Sequence, residues 1–292
     1  MAIVESILIS LGWVLLSGGL CYGVVYAFFK QAGFALAVAG LVSFWMGVAD
    51  LNQRLWVEFP PVDASFWWLY GLPLLAGIAL IYRSGKAPQT IWALPLGLIS
   101  AAYLYGMTTP LRQYEWTLTH SALFSLGAGA LMGVFSLGVA KAFDQHVQQP
   151  LSPYVWPVFM GVLSLGSAGL FLLGSSAVYH QQALFLAVFQ FFTGGLFCFR
   201  FAGGTRAFST GLVMSQFWLL LMLWANVLVF ASLSYWALCL FGSVVLLLGI
   251  RQTSLKDSIF RQLISVSLGS GLCLALAIVM VWLYQPQAEI YF

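Results

Sequence analysis

Charge is what this chain has least of. Only 7% of its 292 residues are Asp, Glu, Lys or Arg, against 62% that are hydrophobic, whereas a water-soluble domain carries about 25% charged residues. A chain so poor in charge cannot cover a surface that faces water, so the bilayer is the expected solvent. The four cysteines, Cys21, Cys198, Cys239 and Cys273, all lie inside apolar runs and none forms a CxxC pair. Neither a disulfide framework nor a thiolate metal site follows from that spacing. There is no Ser/His/Asp set, no pair of buried carboxylates and no phosphate-binding glycine loop, so hydrolase and nucleotide-driven chemistry have no support. Before the first apolar run stands Glu5 and no Lys or Arg. Without a basic leader that run is expected to be retained as a helix.

What is present is a series of long apolar runs separated by charge. Runs able to cross a hydrocarbon layer of about 30 Å fall approximately at 6–29, 32–49, 65–82, 90–108, 118–140, 154–174, 182–199, 208–230, 234–250 and 262–284. No charged residue occurs in the 44 positions between Arg206 and Arg251. That is about twice the length one spanning helix needs, so a hairpin is expected there, turning at Ala231–Tyr235. A second turn is expected at Ser175–His180. The predicted fold class is an all-α bundle of about ten transmembrane helices, a single transmembrane domain over 1–292. The ten runs could be grouped into halves, 1–149 and 150–292; with five crossings each these would be inverted repeats, although no residue-level similarity between the halves is evident.

The distribution of cations predicts orientation. One set of alternate loops holds Lys30, Arg83, Lys86, Lys141, Arg200, Arg206, Arg251, Lys256 and Arg261; the other holds only Arg54 and Arg112. By the positive-inside rule the first set is cytoplasmic, so both termini are predicted outside, in a bacterial-type inner membrane. The net charge of +3 is thus explained by topology, without a nucleic-acid partner.

Inside the predicted spans there is no mid-depth Asp, Glu, Lys or Arg, which argues against a carboxylate-coupled proton or sodium transporter. The strongest polar residues are Gln190, Gln216 and Asn226. Gln190 and Gln216 fall at comparable depth on consecutive antiparallel spans, where they either hydrogen-bond across the helices or line the path of a neutral solute. Pro73, Pro95 and Pro157 lie within spans, where each removes a backbone donor and can kink its helix. Gly19 and Gly23, and Gly129 and Gly133, are GxxxG pairs, the second extended by Ser125. Such stripes let helices approach closely, within the chain or between protomers.

Three histidines remain. His120 falls at the outer end of the fifth span, His180 in the outer loop before the seventh, and His146 in a cytoplasmic loop. His120 and His180 could therefore share an outer site, as two axial ligands to a haem would.

One stretch, 113–175, resembles a known family. Trp116-Thr117-Leu118-Thr119-His120, followed by Gly127, Met132 and Gly138, is similar to a helix of the haem-copper oxidase catalytic subunits and related membrane proteins, which starts at the outer surface with WTxxHxH. Leu151-Ser152-Pro153, Phe159, Gly166 and Gly174 are similar to the next helix. The departures are large: Ala122 replaces the second histidine, and the family's two haems and copper require more histidines than this chain has. The resemblance implies at most one retained haem ligand, His120, and not oxygen or nitric oxide reduction.

Three functions follow as expectations. The first is binding or passage of a small neutral or anionic solute within the bundle. The second is a haem-binding or quinone-facing respiratory-type subunit. The third is a noncatalytic subunit of a membrane complex or homo-oligomer, suggested by the near absence of loops and by the glycine-rich faces.

Overall fold

A computed structural model describes residues 2–30, 32–51, 90–148, 155–173, 176–194 and 210–230, with isolated positions between 271 and 283. The predicted spans at 65–82 and 234–250, and all but scattered positions of 262–284, lie outside the described residues. Every regular element described is helical: α1 (Ala2–Phe29), α2 (Ala32–Leu51), α3 (Thr90–Met107), the short α4 (Thr109–Tyr114), α5 (Leu118–Gln148), α6 (Val155–Leu173), α7 (Ala177–Val188), which continues into a π-helical turn (Phe189–Gly194), and α8 (Thr210–Phe230). Two of them contain stretches long and apolar enough to cross a membrane, Leu8–Phe29 and Leu118–Phe135.

The helices start and stop for local reasons. Lys30 closes α1 with a left-handed backbone (φ 52°) and its N–H bonded to the Tyr26 carbonyl, and α2 begins two residues later. Thr117 caps α5, its Oγ1 accepting the His120 N–H at 3.1 Å. This satisfies one of the orphan donors of the first turn. Three boundaries differ from the sequence expectation. Helix α5 runs on through Lys141 and His146 to Gln148, about 46 Å at 1.5 Å per residue, so His146 is on a helix rather than in a loop. Pro157 is the third residue of α6, in the first turn, where its missing N–H costs no helical bond. Helix α7 begins at Ala177, which puts Tyr179 and His180 in the helix and not in the preceding turn.

Side-chain contacts set the relative directions. Ser10 donates to the Asp50 carboxylate (2.6 Å), tying the start of α1 to the end of α2. Tyr103 near the end of α3, Ser167 and Ala168 near the end of α6, Tyr179 and His180 at the start of α7, and Asn226 near the end of α8 are joined by hydrogen bonds. One end of the bundle therefore collects the C-terminal ends of α2, α3, α6 and α8 and the N-terminal ends of α1, α5 and α7.

The core is built around α8. Residues 216–227 are buried without interruption, Trp218 and Trp224 among them. Polar side chains are inside as well: Ser100, Ser164, Ser167, Gln182, Gln190 and Asn226 are fully covered. Among the described residues the exterior is apolar, with Leu8, Leu16, Leu20, Val24 and Phe28 exposed along one stripe of α1, and Leu123, Leu126, Leu131 and Val134 exposed on α5. This is the reverse of the polar rind that a protein in water needs. Helices α3 and α5 meet closely at Gly129, where a Cβ would lie 2.7 Å from the Ala101 N and the Gly97 carbonyl oxygen.

Candidate functional site

The buried polar groups are concentrated on α8 and the helices around it. Both tryptophans of α8 have their indole N–H satisfied: Trp218 donates to Ser100 Oγ on α3 (2.6 Å) and Trp224 to Ser167 Oγ on α6 (3.0 Å). Tyr103 and Phe171 pack edge-on against those indoles. The two rings are thereby fixed and present apolar faces. Asn226 is also fully engaged. Its Nδ2 donates to the Met222 carbonyl (2.8 Å) and, over a longer 3.4 Å, to the Tyr103 hydroxyl, while its Oδ1 accepts from the Tyr179 hydroxyl at 3.4 Å. Asn226 thus bridges α3, α8 and α7 at one end of the bundle.

From that bridge a polar stripe descends α7. Tyr179, Gln182, Leu186 and Gln190 follow one another at spacings of three and four, which places them on one helix face. On α8, Asn226, Leu223, Leu219 and Gln216 likewise follow one another on one face, which meets α7 at the Tyr179–Asn226 bond. Gln190 lies eleven residues from Tyr179, and Gln216 ten from Asn226. At about 1.5 Å per residue the two glutamines fall at the same level of the bundle. The interhelical bond that this pairing invites is not made. The Gln190 carboxamide, fully buried, has no hydrogen-bond partner for either its oxygen or its nitrogen, and the same is true of Gln182. Gln216, 7% exposed, is engaged with other groups.

The π-helical turn positions Gln190. A widened turn advances each residue less around the axis, and here the flanking phenyl rings are seated in glycine notches on either side. A Cβ on Gly40 of α2 would come within 2.7 Å of the Phe189 ring, and one on Gly161 of α6 within 2.6 Å of the Phe191 ring. With its two neighbours wedged against α2 and α6, Gln190 is held on the face of α7 that also carries Tyr179, in a turn that packs against α1, α2 and α6. Leaving a buried carboxamide unpaired costs about 1–3 kcal/mol, and the fold bears this twice on one face.

The histidines are arranged differently from the sequence expectation. His180 is half-buried in the first turn of α7, with Nδ1 2.8 Å from the Ala168 carbonyl oxygen. A carbonyl only accepts, so Nδ1 carries a proton and donates it to the Ala168 carbonyl oxygen. His120 is exposed, its ring stacked on Trp116 (centroids 4.6 Å, planes 8° apart), and Trp116 meets Phe124 edge-on. Helix α5 packs mainly along α3 and α8, whereas α7 packs along α6 and α2. The two imidazoles thus stand on helices with different main neighbours.

Of the glycine pairs, Gly129 makes the close helix contact described above, with Ser125 buried one turn earlier and Gly133 buried one turn later. Gly19 and Gly23 meet nothing within 4 Å on the outside of α1. Among the described residues no group of three His, Cys, Asp or Glu could hold a metal ion.

Gln182, Tyr103 and Tyr179 are site residues that sequence reasoning did not single out. Gln182 stood at the first residue of the span predicted at 182–199. The earlier start of α7 moves it inside. No protein-family model, curated protein or solved structure matches the chain.

Proposed function

We propose that the chain is a multi-pass membrane protein that binds a small uncharged solute, and lets it pass, along the seam between α7 and α8. The observation that carries this reading is the pair of fully buried, unpartnered carboxamides of Gln182 and Gln190 on one face of α7. Buried polar groups are retained unpaired where something other than the fold is there to pair with them. No carboxylate, ammonium or guanidinium is found on these stripes of α7 and α8, which favours a neutral solute over an anionic one. In this conformation both amides are sealed, so passage requires α7 and α8 to part, and the π-helical turn is where α7 has slack.

The topology proposed is about ten crossings in a bacterial-type inner membrane, with both termini outside. The apolar exterior and the two long apolar helices support a membrane setting. The relative helix directions support the alternation: the end that collects Asp50, Arg112 and Glu115 is the predicted outer one, and Lys30 and Lys141 belong to the other. Helices α2 and α3 finish at the same end, and the reading places the return crossing at 65–82, outside the described residues.

The test is flux into proteoliposomes carrying the purified full chain, with a panel of uncharged solutes and a parallel measurement of ion conductance. Passage of at least one uncharged solute above the rate in empty vesicles, without ion current, is the expected result. Ion current without neutral-solute flux, or no flux of any kind, would overturn the reading.

A further inference from the structure

Resting on the passage reading above, we propose that the solute is of the amide type: small, uncharged, with N–H donors and a carbonyl acceptor side by side, as in urea or acetamide. The argument is one of complementary inventories. A carboxamide offers one acceptor oxygen and two N–H donors in a single plane. The partner that satisfies both edges at once carries the same two groups in the opposite order, which is another amide. A lone hydroxyl meets one edge at a time and leaves the other unpaired. Charge is excluded by the same accounting, since the stripes Tyr179–Gln182–Leu186–Gln190 and Gln216–Leu219–Leu223–Asn226 hold no ionised group, and an ion stripped of water there would go uncompensated.

Two further features narrow the class. Gln182 and Gln190 are eight residues apart, about 12 Å along the helix, too far for one urea-sized molecule to bridge. The seam therefore has two successive seats separated by the apolar Leu186. The other polar groups at its upper end are already taken: Asn226 is engaged by Tyr103, Tyr179 and the Met222 carbonyl, and both indole N–H groups by serines. The open edges offered to a solute on these stripes are those of the two glutamines.

The experiment uses the full chain in proteoliposomes, with stopped-flow light scattering and urea, acetamide and glycerol as probes. Gln182→Met and Gln190→Met are reconstituted beside the unaltered protein after size-exclusion and thermal-melt checks. Neither variant should lose stability, because a thioether of similar length replaces an amide that has no partner. Urea and acetamide are expected to re-swell the vesicles faster than glycerol, and each methionine variant to slow them about ten-fold, the worth of one well-made hydrogen-bond pair. Glycerol passing as fast as acetamide, or methionine variants at the unaltered rate, would overturn the amide class while passage stands. Water permeability alone, with every probe excluded, would do the same. No probe and no water faster than in empty vesicles would overturn the passage reading itself.

Discussion

The two GxxxG pairs look alike in sequence, and the structure separates them by a measurable amount. A Cβ on Gly129 would lie 2.7 Å from both the Ala101 N and the Gly97 carbonyl oxygen. Carbon contacts settle at about 3.5–4.0 Å, so Gly129→Ala must push α3 and α5 apart by roughly 0.8 Å. The obstacle is backbone on both sides and no side-chain rotation relieves it. Overpacking of this kind costs about 1–3 kcal/mol, against a gain of about 0.5–1 kcal/mol for placing alanine in a helix, leaving a net loss centred on about 1 kcal/mol. Gly19 and Gly23 meet nothing within 4 Å, so alanine there should bring only the gain, about 0.5–1 kcal/mol each. The comparison is made by thermal or SDS-titrated unfolding of the three variants in one detergent. Gly129→Ala as stable as the unaltered protein would refute the reasoning about α3 and α5. A cost at Gly19 or Gly23 equal to that at Gly129 would refute the reasoning about α1, by showing that its outer face packs against another protein surface.

The remaining predictions concern the seam and the topology. Asn226→Leu removes the bridge between Tyr103 and Tyr179 and should lower stability by about 1 kcal/mol in the same unfolding assay; no loss would show that the two 3.4 Å bonds carry no stabilisation. Gly40→Ala and Gly161→Ala press on the Phe189 and Phe191 rings and so turn Gln190 off the seam. Solute flux should fall in both while Gly19→Ala keeps the unaltered rate, and equal flux in all three would detach the glycine notches from the site. A periplasmic reporter fused at the C-terminus should be active and a cytoplasmic one silent, and the reverse would overturn the ten-crossing topology. Oxidised and dithionite-reduced spectra of the purified chain should show no Soret band; a band lost in His120→Ala would replace the solute reading with a haem one.

The described helices were partly legible because charge interrupts the apolar runs: Lys30 separates α1 from α2 and Arg112 lies in the short α4 between α3 and α5, whereas Lys141 falls inside α5 and marks no end. The site was half legible. Gln190 and Asn226 stand out as polar residues in apolar surroundings, but Tyr179, His180, Gln181 and Gln182 form a polar cluster after Ser175-Ser176, and local polarity cannot distinguish a helix start facing water from one facing another helix. That distinction comes from tertiary packing, here from Ala168 on the preceding helix and Asn226 on α8. The Trp116–His120 motif shows the converse. It resembles a ligand-bearing pattern, yet its geometry has a local explanation: Thr117 caps the helix, Trp116 packs down on His120 and Phe124, and the histidine lies on the exposed face of its first turn. A motif built on a helix start will recur wherever a helix must begin at an interface, because the capping requirement is the same. Two carboxamides on one buried face, neither of them bonded, have no such local explanation, and that asymmetry is why the functional argument rests on Gln182 and Gln190 and not on His120.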